Sequence, residues 1–201
     1  MDPAVGLVQA YLQLNGYFTV VEYPVVVPTT QGTEVLTDVD LIALRFPLAL
    51  PLGIGSGEAW QPDPLLRATP GGMDLLICEV KEGKARLNPN LMRDEVLAAT
   101  LRRVGCCPEA HITHHVRDLL RHGETMMTHE GVSCRARLAV FAGRKGQPNR
   151  AGLAIGLPKV ARFLADYLQR NEARLHSTHL TQPALAYLQL MEKLRLLRTA
   201  D

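Results

Sequence analysis

Apolar residues recur along this chain with two periods, and the switches between them divide it into helices and strands. Residues 4–15 place Val5, Val8, Tyr11 and Leu12 on one helical stripe and stop at Asn15-Gly16, a helix-ending pair. Residues 17–27 are rich in β-branched and aromatic side chains and predict a first strand. Thr29-Thr30-Gln31-Gly32 is turn chemistry, and residues 36–46 predict a second strand. Leu75 to Cys78 is a short apolar run after Gly71-Gly72, the pattern of a buried strand, and it leads into Glu79-Val80-Lys81. Asn88-Pro89-Asn90 opens a helix over residues 90–104, with Leu91, Val96, Leu97 and Leu101 turned inward, and residues 109–121 predict another. Residues 134–142 predict a fourth strand and 154–157 a short fifth. Pro158 suits the first turn of a helix to about residue 173, with Val160, Phe163, Leu164, Tyr167 and Leu168 as its buried stripe. A last helix over 182–198 carries Leu185, Leu188, Leu190, Met191, Leu194 and Leu197, enough apolar surface to pack on the core or to pair with a second subunit.

This alternation is that of an α/β fold with a mixed central sheet flanked by helices. At 201 residues the chain reads as one domain over 1–175 with a helical appendage over 176–201. Between the second and third strands lies a Pro/Gly-rich insertion, residues 47–72, holding Trp60 and Arg67. Such a loop is either a surface excursion or a segment that lies over a substrate or a subunit contact. Hydrophobic residues make up 47% of the chain, enough for a core, and with 5% aromatics that core is aliphatic. No apolar run is long enough to span a membrane, and Asp2-Pro3 interrupts any secretory leader pattern. Cys78, Cys106, Cys107 and Cys134 fit neither a disulfide framework nor a paired zinc motif, so the expected location is the reducing cytoplasm. The net charge of +2 is too near neutral to argue for a nucleic-acid partner on its own.

Candidate chemistry gathers at the end of the third strand. A buried strand does not end in a carboxylate and an ammonium without compensation. Strand alternation turns Glu79 and Lys81 the same way. The second strand has two acidic residues, Asp38 and Asp40, on a common face, of which Asp40 lies deeper in the apolar stretch. One Asp from one strand and Glu-x-Lys from the next can hold a hard divalent cation through carboxylate oxygens, with the lysine positioned to act on water or on developing negative charge. Glu22, inside the first strand, is either an outward-facing residue or an auxiliary carboxylate. Lys84 and Arg86 form a cationic edge that suits phosphate, or a solvated strand end. His111, His114, His115, His122 and His129 match no zinc spacing, and the helix over 109–121 is expected to turn its histidines to solvent.

Asp40 followed by Glu79-Val80-Lys81 resembles the PD-(D/E)xK nuclease superfamily, over roughly the first three-quarters of the chain. Val39 stands where the name-giving proline would be, and the helix after Lys81 has no Gln-x-x-x-Tyr. The resemblance implies a restriction-endonuclease-like α-β-β-β-α-β core and Mg²⁺- or Mn²⁺-dependent hydrolysis of phosphodiester bonds. Asp40, Glu79 and the backbone carbonyl of Val80 would be the metal ligands, and Lys81 the residue that positions water or stabilises charge. Asp38 and Glu22 would be auxiliary. DNA is favoured over RNA as substrate, and cutting both strands of a duplex would favour a homodimer. The alternative is a catalytically silent member that keeps the fold and binds nucleic acid or a protein partner.

Overall fold

The computed structural model describes residues 2–49, 62–66, 71–146, 148, 150–172 and 181–194. The insertion at 47–72, with Trp60 and Arg67, therefore lies mostly outside the described residues, as do the boundary at 175/176 and Leu197. The order of elements is α1 (Pro3–Leu14), β1 (Phe18–Thr29), β2 (Gly32–Arg45), β3 (Met73–Lys84), α2 (Asp94–Val104), α3 (Glu109–His122), β4 (Glu124–His129), β5 (Val132–Arg144), β6 (Leu153–Gly156), α4 (Leu157–Arg170) and α5 (Pro183–Lys193). Among the described residues the fold is α/β, a mixed six-stranded sheet flanked by five helices. Among the described residues no helix is long and apolar enough to cross a membrane.

The sheet runs β1-β2-β3-β5-β4. β1, β2 and β3 form an antiparallel meander, and β5 lies parallel to β3. The far edge of β5 is shared: β4 pairs antiparallel with residues 132–137, and β6 pairs parallel with residues 139–142. The two short strands meet at Gly123 and Gly152. Gly123 takes φ 75° as the C-terminal cap of α3, and a Cβ there would come within 2.3 Å of the Arg150 carbonyl oxygen.

Alternation along β2, β3 and β5 supplies two cores. Leu41, Ala43, Leu76, Cys78, Ala139 and Phe141 face α1, α4 and α5, which contribute Val8, Tyr11, Leu164, Tyr167 and Leu185. Ile42, Leu75, Ile77, Ala136 and Leu138 face α2 and α3, which contribute Val96, Leu97, Leu101, Ile112, Val116 and Leu119. At roughly 25 cal/mol per Å² of apolar surface, each fully buried leucine among these contributes about 2 kcal/mol. α1 starts where Asp2 accepts the Ala4 N–H at 2.7 Å, and it stops at buried Asn15 before Gly16 at φ 86°.

Several expectations from the sequence need adjustment. The first hairpin is longer than read, because pairing continues to Thr29↔Gly32 through a bulge between Val25 and Val26. α2 starts at Asp94 rather than residue 90, because Met92 and Arg93 bond back to Asn88, Pro89 and Asn90 in turns. β4 has no counterpart in the sequence reading. It is joined to β5 by Glu130-Gly131, both left-handed (φ 50° and 78°), the geometry a two-residue hairpin turn requires. Asn or Asp before the glycine announces such a turn, and Glu130 hides it. α5 packs on α1 and α4, burying Leu185, while Leu190 and Leu194 are exposed rather than inward.

A second buried feature was also hidden. Asp74 is fully buried and accepts from Arg137 Nε and Nη2 at 3.2 and 2.6 Å. The Tyr17 hydroxyl donates to the same carboxylate, and the Arg45 guanidinium lies 4.8 Å from the Tyr17 ring centroid. This network ties β1, β2, β3 and β5 together at the end of the sheet opposite Lys81.

Candidate functional site

Pairing between β2 and β3 ends at Leu41↔Cys78. Beyond that register the strands part, which leaves the next β3 amides without a ladder partner on that side. The Asp40 carboxylate enters the gap and its Oδ2 accepts the Val80 N–H at 2.7 Å. β3 meanwhile continues its parallel pairing with β5, Glu79 opposite Val140 and Lys81 opposite Ala142. One edge of β3 is thus fixed by β5 while the other opens onto Asp40.

Glu79 is 3% exposed, and Lys81 reaches it from two residues along the same strand. Glu79 Oε1 touches the Lys81 ammonium as an ion pair, yet it has no hydrogen bond of normal geometry although it is buried. Burial raises the Glu79 carboxyl above the usual carboxylate range. The Lys81 hydrogen bond opposes this, the Asp40 charge adds to it, and the Asn88 backbone amide opposes it again. Asp40 is raised as well, first by burial, against the Val80 N–H and the Lys81 ammonium, with Asp2 and Glu22 pushing it further up.

Two raised carboxyls with one ammonium between them make a site short of positive charge. Oxygen donors of this kind suit a hard divalent cation, so Asp40 and Glu79 could hold one between them.

The residues singled out from sequence divide as follows. Asp40, Glu79 and Lys81 come together although they lie on two strands and some forty positions apart. At Val80 the recorded contact is its N–H on Asp40. Glu22 is exposed with φ 49°, accepts the Asp2 N–H at 3.3 Å, and acts on Asp40 by its charge. Asp38 is exposed opposite Pro24 and is not one of the charges acting on Asp40. Lys84 is exposed opposite Arg144, and Arg86 is exposed two residues beyond the end of β3. Arg144 and Lys145 open onto a cleft of about 390 Å³ with Lys159 and Arg162.

Sequence reasoning missed Asp2, whose charge reaches Asp40 from the start of α1, and the Asn88 amide. Neither had a signal, because both act through long-range placement. The expectation that the α3 histidines face solvent is wrong for His115, which is buried. Its Nδ1 lies 3.0 Å from Thr125 Oγ1 on β4, the strand that was not foreseen.

No family model matches this chain, and neither a curated protein nor a solved structure does.

Proposed function

We propose that this protein is a Mg²⁺- or Mn²⁺-dependent nuclease of the restriction-endonuclease-like, PD-(D/E)xK class, acting on DNA. The observation that carries the reading is the convergence of Asp40, Glu79 and Lys81 where β2 parts from β3. Further support comes from the order of elements. A helix, a three-strand antiparallel meander, helices and a strand parallel to β3 follow one another, with α3 and β4 as additions before β5.

Asp40 and Glu79 would hold the cation. When bound, a divalent metal polarises the phosphodiester and lowers the pKa of an attacking water. Asp40 is oriented for this by the Val80 N–H, so its free oxygen has a fixed direction. Lys81, about one-third exposed, can leave Glu79 for a phosphate oxygen or the attacking water once a cation balances Glu79. Lys84, Arg86, Arg144 and Lys145 lie beyond the strand end and supply charge for the flanking phosphates.

The test is cleavage of single- and double-stranded DNA, a four-way junction and RNA, with Mn²⁺ or with EDTA, by the parent and by Asp40→Ala. Mn²⁺-dependent cutting that disappears in the variant is the expected result. Cutting that persists in Asp40→Ala or in EDTA, or no cutting of any substrate, would overturn the proposal.

A further inference from the structure

A second group of ligand-type side chains lies away from Glu79. His114, His115 and Asp118 on α3 each bring one ligand atom within 4.8 Å of the others. On a helix, Asp118 sits one turn after both histidines, at i+4 from His114 and i+3 from His115, so it lies between them. The recorded contacts follow this spacing. His114 Nε2 is 3.5 Å from Asp118 Oδ2, and the His114 and His115 ring centroids are 5.1 Å apart.

The group is supported from the neighbouring strand. Thr125 Oγ1 donates to Asp118 Oδ2 at 3.3 Å and lies 3.0 Å from His115 Nδ1. With its one proton committed to Asp118, the threonine oxygen must accept from His115. That makes Nδ1 the protonated nitrogen and leaves the Nε2 lone pair unused. A neutral imidazole whose second nitrogen is held by a hydrogen bond is the arrangement found behind metal-binding histidines. Beside the group is a cavity of about 440 Å³ lined by Asp118, His122, Glu124, Thr125, Met126 and Arg135.

We propose that His114, His115 and Asp118 bind a divalent cation of the zinc class. Two imidazoles and a carboxylate suit such a borderline cation, whereas the all-oxygen pair at Asp40 and Glu79 suits a hard one. Tetrahedral bonds of about 2.0–2.1 Å put ligand atoms about 3.4 Å apart. The group must therefore close inward on binding, and His114, with 67% of its side chain exposed, has room to turn. The two sites are separate. Thr125 and Leu75 both pair with Ala136, so the histidine group is level with a point four residues before Glu79 on β3, about 13 Å at the strand rise. The site does not depend on the nuclease reading.

The experiment titrates Co²⁺ and Zn²⁺ into the full chain, reading Co²⁺ ligand-field absorption and Zn²⁺ calorimetry. One Co²⁺ per chain with the intense bands of a four-coordinate site, displaced by Zn²⁺, is expected. His114→Ala and Asp118→Asn should each weaken Zn²⁺ displacement of these bands by about tenfold or more, while the four-coordinate Co²⁺ bands persist in Glu79→Gln. His114 is exposed, so its removal should not affect folding, which far-UV circular dichroism would check. Parental affinity in a folded His114→Ala, loss of the signal in Glu79→Gln, or no binding by the parent would each overturn the assignment.

Discussion

Replacing Glu79 by glutamine should make the metal-free protein more stable and the metal-loaded protein less so. The side chain keeps its shape; the change removes the charge and exchanges one acceptor oxygen for an amide NH₂ donor. In the parent, that charge is buried and meets a single ammonium. Lys81, left behind, is about one-third exposed and can turn to water. A carboxyl whose midpoint rises by one pH unit on folding costs about 1.4 kcal/mol of stability once fully ionised. Because the Glu79 midpoint is raised, the folded state binds more protons than the unfolded state between the two midpoints. The cost is absent below the unfolded midpoint, grows with pH through the window, and is complete above the folded one. Glu79→Gln should therefore match the parent in acid and exceed it near neutral pH, by about 1.4 kcal/mol for each pH unit of rise, with each 1 kcal/mol worth roughly 2–4 °C in melting temperature. Mn²⁺ should reverse the ranking. At a concentration near a hundred times its dissociation constant it stabilises the parent by about 2.7 kcal/mol, or about 5–11 °C, and the variant much less. Thermal melts across pH, in EDTA and in Mn²⁺, measure both effects. Equal Mn²⁺ shifts in parent and variant, or a variant less stable than the parent in EDTA at neutral pH, would refute the account of Glu79 as a metal-deficient carboxylate.

Lys81→Ala should lower cleavage by about 100-fold or more, because its ammonium is asked to act on the substrate, and should lower the metal-free melting temperature, because buried Glu79 loses its ammonium. Single-turnover rates beside metal-free thermal melts would show this, and parental rates would exclude Lys81 from the chemistry. Asp74→Ala should cost about 3–5 kcal/mol, since it leaves the Arg137 guanidinium buried without its partner, and Tyr17 loses its acceptor. Urea denaturation measures it, and a loss under about 1 kcal/mol would mean that the network does not hold the sheet as described.

The order of helices and strands, β4 excepted, was legible in the sequence because it depends on local periodicity. Val5, Val8 and Leu12 on α1, Leu75 to Cys78 on β3, and Val160 to Leu168 on α4 each declare their element within a few residues. The candidate residues were legible for a related reason: Glu79 and Lys81 stand out because charge does not belong at the end of a buried run. What the sequence did not contain was their arrangement in space. Asp40 meets Val80 only because the β2–β3 register stops at Leu41↔Cys78, and a shift of one residue would turn it to the other face. Asp38, on the same face but farther from the apolar stretch, stays exposed opposite Pro24. His115 could not be read as buried, because the strand that covers it was itself concealed by Glu130 in a left-handed turn. Asp74 and Arg137 meet only because β3 pairs with β5. Periodicity fixes which way a side chain points within its own element. Which side chain from another element it meets is set by strand order and register, and these depend on contacts between residues distant in sequence.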